Sequence, residues 1–194
     1  MILIGIIYHR NKRYSIPRLL DWLEQADLTG CDVLMRWHLG EWAEPDAVKK
    51  QRQYFRTLTL ANGYSHLYFI DCDTIPPLDV IPKLKARGKD IIGAVYHSRH
   101  TQSQTYKGQL VPLAWRDTPE PYGYLQEGDV VEVDGMGMGA VLLSRKALED
   151  AVFDQHKGDQ DDWPVYRLLK SKGHKIYLDQ TLICKHYDTQ EHYL

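Results

Sequence analysis

The chain has 194 residues, a length that is typical of one compact domain and short for two. Its 24 basic and 26 acidic residues give a formal charge of −2, which argues against a dedicated nucleic-acid-binding protein but leaves a nucleic-acid substrate open. Hydrophobic residues make up 43% and charged residues 26%, an ordinary globular composition that argues against a disordered chain.

The cysteines and the apolar segments indicate the compartment. Cys31, Cys72 and Cys184 are scattered and odd in number, so the sequence predicts neither a disulfide framework nor a cysteine zinc site. No apolar run approaches the roughly 20 residues that cross a bilayer, and none is typical of a cleavable signal. We therefore expect a cytoplasmic protein without a membrane span.

In the first half of the chain, apolar runs alternate with helical patterns. Ser15 and Pro17 are typical of a helix start, and Gly63 is typical of a helix end. The pattern predicts strands at 2–8, 31–37, 66–70 and 90–96, and helices from 15, from 45 to 63 and at 78–87. This alternation predicts an α/β fold with a mainly parallel sheet and helices on both faces.

The second half is less regular. Residues 97–128 are polar and rich in Gln, Pro, Gly and Tyr, which predicts loops or short strands. Beyond them, strands are predicted at 130–134, 139–143, 175–178 and 181–184, and helices at 144–152 and 162–172. No linker divides the chain, so we predict a single domain over residues 1–194 with an irregular second half.

Two carboxylates directly follow the most apolar internal strand. Asp71 and Asp73 come after residues 66–70, and open α/β sheets bind ligands outside the carboxyl ends of their strands. Two carboxylates at this spacing can share a divalent cation such as Mg²⁺ or Mn²⁺, which prefer oxygen ligands. The same pattern is also typical of a turn in which Asp binds backbone amides, so this pair alone is a weak signal.

With its neighbours, this segment resembles a known family. Residues 68–77 resemble the Asp-x-Asp segment of GT-A glycosyltransferases, particularly the small family-2-like enzymes. Three more segments match in the same order. Residues 133–145 resemble the Gly-x-Gly strand on the acceptor side. Asp161 and Asp162 resemble the acidic pair whose second member is the catalytic base. Residues 185–187 resemble the segment that holds a third metal ligand. The resemblance extends from residue 2 to about 188.

The resemblance implies a GT-A, Rossmann-like fold in which residues 1–96 bind a nucleotide sugar and 97–194 form the acceptor and catalytic half. It implies a Mn²⁺ or Mg²⁺ ion held by Asp71, Asp73 and His186. A solvated loop or a charged helix face would explain several of the implied donor contacts as simply. These donor-binding residues are Tyr8, Arg10, Arg52, Asp71 and Arg99.

On the acceptor side, the resemblance implies that Asp162 is the catalytic base. A helix-capping aspartate would have the same position at the start of a helix. Glycine inside a strand often marks the close approach of a ligand, whereas methionine often fills a core. Trp163 is either a stacking surface for a ligand or a buried aromatic residue. The implied substrate-binding residues are Gly137, Met138, Gly139, Asp161 and Trp163.

The implied reaction is transfer of a sugar from a nucleotide-diphosphate sugar to an acceptor hydroxyl, with a UDP-sugar as the expected donor and inversion at the anomeric carbon. The cation neutralises the departing diphosphate, and Asp162 removes the proton of the attacking hydroxyl. The acceptor stays open among a glycan, a protein, a lipid-linked sugar and a modified DNA base, which small phage-type relatives glycosylate.

Two other functions also stay open. Residues 69–74 resemble the first motif of haloacid-dehalogenase-type phosphatases, in which Asp71 would be the nucleophile and Asp73 the acid/base. That family places the motif on its first strand, whereas two predicted βα units precede it here. A nucleotide-sugar-binding protein without catalysis is the other alternative.

Overall fold

The structure is a computed structural model that describes residues 1–38, 47–99, 110–116, 128–153 and 162–187. The helices of these residues are α1 (Ile16–Gln25), α2 (Ala47–Ala61), α3 (Val80–Ala86), α4 (Arg145–Asp150) and α5 (Asp162–Ser171), and a 3₁₀ segment (Arg10–Ser15) precedes α1. The predicted start of the second helix, near residue 45, lies outside the described residues. None of the helices in this part of the chain is long and apolar enough to cross a membrane.

The central sheet has seven strands. They are β1 (Ile2–His9), β2 (Cys31–His38), β3 (His66–Asp71), β5 (Ile91–Val95), β9 (Val130–Val133), β11 (Ala140–Ser144) and β12 (Ile176–Ile183). Their order across the sheet is β2-β1-β3-β11-β5-β12-β9. Strands β1, β2, β3, β5 and β12 run in one direction, and β11 and β9 run antiparallel to their neighbours. The mainly parallel α/β sheet that the sequence predicts is therefore confirmed.

Helices cover both faces of the sheet. Alternate side chains of β1 point to opposite faces, so that Leu3 and Ile7 join one hydrophobic cluster and Ile4 and Ile6 join the other. The first cluster contains buried residues of α2, α4 and α5, and the second contains those of α1 and α3. Burial on both faces is the reason that β1 is a continuous apolar run rather than an alternating pattern.

The closing strand differs from the prediction. The sequence indicates two strands at 175–178 and 181–184, but β12 is one strand with an irregular register between Asp179 and Ile183. The Asp179 carboxylate accepts hydrogen bonds from the backbone N–H and the hydroxyl of Thr181. This local turn shifts the chain without ending the strand, and it accounts for the interruption in the sequence pattern.

Short strands at one end of the sheet form three further pairs. They are β4 (Thr74–Ile75) with β13 (Lys185–His186), β6 (His97–Arg99) with β7 (Leu110–Pro112), and β8 (Ala114–Trp115) with β10 (Gly135–Met136). In the first pair, His186 lies opposite Thr74. This pairing brings the end of the described chain beside the Asp-x-Asp turn, and it positions the site described below.

Candidate active site

A cavity of about 210 Å³ lies at the carboxyl ends of β1 and β3. Ile7 of β1 pairs with Asp71 of β3, so that the residues following both strands meet at the same edge of the sheet. The residues that line the cavity are Ile7, His9, Lys12, Val48, Arg52, Asp71, Cys72, Asp73 and Asp162. Three carboxylates that the sequence singles out thus share one cavity, although residue 162 is far from the Asp-x-Asp segment along the chain.

Asp73 lies between two basic side chains. Its Oδ2 atom is 2.9 Å from Nζ of Lys12 and 3.6 Å from Nε2 of His186. Asp73 is only 7% exposed, and such a buried carboxylate requires partners of opposite charge. The backbone carbonyl of Asp73 accepts a hydrogen bond from the N–H of Tyr187, which fixes the end of β13 against the turn.

The shifts in pKa reflect this arrangement. Burial would raise the pKa of Asp73, but His186 and Lys12 outweigh burial, and the net pKa is lowered. Burial would lower the pKa values of Lys12 and His186, but Asp73 outweighs it in both cases, and both values are raised. Asp73 therefore favours the charged forms of Lys12 and His186, and both favour its ionised form, whereas Lys12 by itself lowers the pKa of His186.

The pair of Asp73 and His186 fits a divalent cation. Nδ1 of His186 donates to the backbone carbonyl of His97 at 2.7 Å, and this leaves Nε2 directed at the Asp73 carboxylate. A metal-binding histidine usually donates one ring N–H to a backbone carbonyl or carboxylate and binds the metal through the other nitrogen, so a cation at Asp73 would take the place of the present contact between Nε2 and the carboxylate. Manganese accepts both carboxylate and imidazole ligands.

Asp71 does not join that pair. Its Oδ1 atom is 3.5 Å from a guanidinium nitrogen of Arg52. Among the residues that the structure describes, no group of three or more His, Cys, Asp and Glu side chains is placed to hold a metal ion. The predicted set of Asp71, Asp73 and His186 is therefore brought together only as the pair of Asp73 and His186.

Arg52 connects the two aspartates on the other side of the cavity. It lies on α2 with a side chain only 3% exposed, and it forms an ion pair with Oδ1 of Asp162 as well as with Asp71. The second oxygen of Asp162 accepts the backbone N–H of Met138 at 3.2 Å. The sequence predicts that Arg52 contacts the nucleotide-sugar donor. In the structure, its guanidinium forms ion pairs with the carboxylates of both Asp71 and Asp162.

The Gly-x-Gly segment packs against Tyr96. A Cβ atom on Gly137 would lie 2.0 Å from the Tyr96 hydroxyl, and one on Gly139 would lie 2.9 Å from Oδ2 of Asp71. The backbone N–H of Gly139 donates to the Tyr96 hydroxyl at 3.0 Å, and the Met138 side chain is fully buried. These glycines are thus required by contacts within the protein, and the segment lies against Asp162 and Asp71, two of the residues that line the cavity.

Trp163, the residue after Asp162, belongs to an aromatic cluster. Its ring centroid is 5.5 Å from that of Trp115, and the guanidinium of Arg167 lies 5.8 Å from the Trp163 centroid. Trp115 also contacts the ring of Tyr166. The partly exposed Trp163 is therefore held by its neighbours in a fixed orientation beside the proposed base.

Other predicted residues lie elsewhere or outside the description. Tyr8 is 5% exposed and packs in the cluster with α1 and α3, so its ring is not available for stacking on a base in this structure. The side chains of Arg10 and Arg99 and the whole of Asp161 lie outside the described part of the chain.

Sequence analysis missed Lys12 and Tyr96. Lys12 is recognisable only by its place just after β1, at the edge where ligands bind, and lysines are common in such loops. Tyr96 directly follows β5, and its contact with the Gly-x-Gly segment requires knowledge of the sheet order. Both residues act through contacts between distant parts of the chain.

The fold resembles solved structures, whereas no protein-family profile and no curated protein matches the sequence. The crystal structure of A197 from STIV has a TM-score of 0.64 at 20% identity, covering 98% of this chain and 87% of that chain. GalNAc-T7, crystallised with UDP, GalNAc and Mn²⁺, has a TM-score of 0.51 at 11% identity, covering 96% of this chain and 43% of that longer chain. The seven-stranded sheet with helices on both faces is a GT-A-type α/β fold.

Proposed function

We propose that this protein is a metal-dependent glycosyltransferase that moves a sugar from a nucleotide-diphosphate sugar, with UDP as the expected nucleotide, to an acceptor hydroxyl. One observation carries the proposal. The same cavity is lined by Asp73, which faces His186, and by Asp162, which is held by Arg52 and the Met138 backbone. A cation-binding pair and a separate positioned carboxylate are the two components that such a transfer requires.

On the donor side, Asp73 and His186 would hold Mn²⁺ or Mg²⁺. The bound cation supplies positive charge that stabilises the departing diphosphate. Hydrogen bonding of His186 to the His97 carbonyl orients the imidazole for this role before any ligand arrives. The structure of GalNAc-T7, which has a similar fold, contains UDP and Mn²⁺.

On the acceptor side, Asp162 would take the proton of the attacking hydroxyl. One of its oxygens is paired with Arg52 and the other accepts the Met138 N–H, so the carboxylate has a fixed orientation. Each carboxylate oxygen has two acceptor positions, which leaves capacity to receive a proton. A base opposite the leaving group is the arrangement for direct displacement, and we therefore expect inversion.

The acceptor is proposed only by class. The partly exposed ring of Trp163 lies next to Asp162, packs against Trp115, and is of the kind that binds a sugar or a base, whereas Tyr166 is buried beneath them. The acceptor classes that stay open are a glycan, a protein, a lipid-linked sugar and a modified DNA base. A protein that binds the donor without transferring it is the alternative that an acceptor screen would detect.

A thermal-shift experiment with nucleotide sugars tests the donor. UDP-sugars with Mn²⁺ should raise the melting temperature by about 5–10 °C at a hundredfold excess over Kd, because a ligand that binds only the folded state stabilises it. Mn²⁺ alone and the UDP-sugar alone should have smaller effects. GDP- and dTDP-sugars are tested in the same panel as alternative donors.

Two matched variants assign the effect to the cavity. Asp73→Asn should remove the metal-dependent shift, since it removes the charge of a proposed ligand. Asp79→Asn removes the same charge from an exposed side chain paired with Lys83, and it should keep the full shift. If no nucleotide sugar changes the melting of the wild-type protein with Mn²⁺ present, the proposed function is wrong.

A further inference from the structure

Lys12 occupies one carboxylate oxygen of Asp73, a proposed ligand of the cation. Its Nζ is 2.9 Å from Oδ2 of Asp73, and His186 Nε2 faces the same oxygen at 3.6 Å. Lys12 lies in the 3₁₀ segment directly after β1, lines the cavity and has a side chain 26% exposed. The ammonium therefore stands at the cavity surface, where a ligand can reach it.

A divalent cation on Asp73 would change the surroundings of Lys12. The ammonium and the cation would then be like charges beside one carboxylate, and their repulsion disfavours metal binding to the ligand-free protein. A diphosphate in the cavity removes this conflict, because its oxygens accept from the ammonium and also neutralise the cation. Lysine binds phosphate groups well as a compact point charge.

Few other cations are available for this role. Among the described residues that line the cavity, the other arginine or lysine is Arg52, and its guanidinium is buried between Asp71 and Asp162. Lys12 differs because its ion pair is with Asp73, the carboxylate of the two proposed metal ligands.

We propose that Lys12 is an exchangeable counter-ion, which neutralises Asp73 in the ligand-free protein and binds a phosphate oxygen of the donor diphosphate once the cation occupies Asp73. This inference rests on the proposed function, since it requires a diphosphate ligand and a cation in the cavity. It adds a residue that the motifs do not indicate, and it makes the binding of cation and nucleotide mutually dependent. The cation alone binds weakly, and the two ligands together bind tightly.

Opposite changes in two affinities test this exchange. In calorimetric titrations, Lys12→Gln should bind Mn²⁺ alone about three- to tenfold more tightly, because the competing ammonium is gone. With saturating Mn²⁺, the same variant should bind UDP about ten- to a hundredfold more weakly, because a charge-assisted hydrogen bond is lost. Lys12→Arg keeps the charge and should recover most of the UDP affinity.

A matched control separates local from overall charge. Lys83→Gln removes the same charge from an exposed residue of α3 paired with Asp79, and it should leave both affinities unchanged. Melting temperatures of both variants verify folding. A purely structural role for Lys12 predicts that both affinities fall together, and either this result or two unchanged affinities overturns the proposal.

The outcomes also separate this inference from the proposed function. If the wild-type protein binds neither UDP, GDP nor dTDP in the presence of Mn²⁺, the proposed function and the role of Lys12 are both wrong. If the wild-type protein binds one of them and Lys12→Gln binds both Mn²⁺ and that nucleotide normally, only the role of Lys12 is wrong.

Discussion

The charged side chains at the two ends of the central sheet differ in how exposed they are. At the end where the parallel strands begin, Asp90 pairs with Lys146, and their side chains are 38% and 74% exposed. At the opposite end, the side chain of Asp73 is 10% exposed beside Lys12, and the side chain of Arg52 is 3% exposed between Asp71 and Asp162. The first end has an exposed pair, and the second has one buried carboxylate, Asp73, and two partly buried ones, Asp71 and Asp162, which share Arg52.

This difference supports the proposed binding site at the carboxyl ends of the strands. Exposed ion pairs are almost neutral for stability, whereas burying several carboxylates together is costly unless cations hold them. A sheet that needed only stability would fill this edge with apolar side chains, as it does in the two clusters on its faces. The charged side chains at the carboxyl ends, of which Asp73 and Arg52 are buried, therefore support the ligand binding that we propose there.

The largest effect on stability is expected at the shared cation. Arg52→Gln should lower the free energy of unfolding by about 3 kcal/mol, because Asp71 and Asp162 would remain close together in a partly buried cavity without the guanidinium. Urea denaturation measures this change. If the free energy of unfolding falls by less than about 1 kcal/mol, the ion pairs of Arg52 contribute no more to stability than exposed ion pairs do, and the contrast between the two ends is wrong.

An intermediate effect is expected where the Gly-x-Gly segment meets Tyr96. Gly137→Ala should cost about 1–3 kcal/mol, because the new Cβ would lie 2.0 Å from the Tyr96 hydroxyl. The same substitution should cost less in a Tyr96→Phe background, where the hydroxyl is absent. Equal costs in both backgrounds, from a double-mutant cycle in urea, would show that this contact does not limit the segment.

The smallest effect is expected at the exposed end. Lys146→Gln should cost between about 0 and 1 kcal/mol at neutral pH, since both partners are solvated. Burial would raise the pKa of Asp90, but the Ser144 hydroxyl and Lys146 outweigh it and the net pKa is lowered. The pair's contribution is thus present above the ordinary pKa of 3.8 and is lost as the pH falls through the lower pKa of the folded state. Urea titrations of both proteins at neutral and acidic pH should show a small difference that disappears in acid, and a difference that grows in acid would contradict this.

Local patterns in the sequence predict most of the fold. The apolar run of β1 and the signals at Pro17 and Gly63 mark their elements because strand burial and helix ends depend on nearby residues. β12 was predicted as two strands, since the turn made by the Asp179 carboxylate interrupts the apolar pattern without breaking the strand. Ser15 is at the predicted helix start, but its hydroxyl donates to the Lys12 carbonyl instead of capping the helix.

The site could be predicted only where a motif carries it. Asp71 and Asp73 are indicated by their position after an apolar strand, and His186 by the resemblance to a family. The pairing of β13 with β4, which brings His186 to Asp73, joins distant segments and leaves no local signal. The contacts of Arg52 and Lys12 likewise depend on the sheet order, which residue patterns alone do not determine.

The central claim is that the cavity at the carboxyl ends of β1 and β3 carries out sugar transfer, with Asp162 as the base. The most direct measurement is the rate of UDP release from the stabilising UDP-sugar with Mn²⁺, for the wild-type protein and Asp162→Asn, over a panel of acceptors. The variant should lose about 10²–10⁴-fold in rate, because its amide cannot take the proton, while its UDP affinity in calorimetry stays close to that of the wild-type protein. A folded Asp162→Asn variant that releases UDP at the wild-type rate would contradict the account.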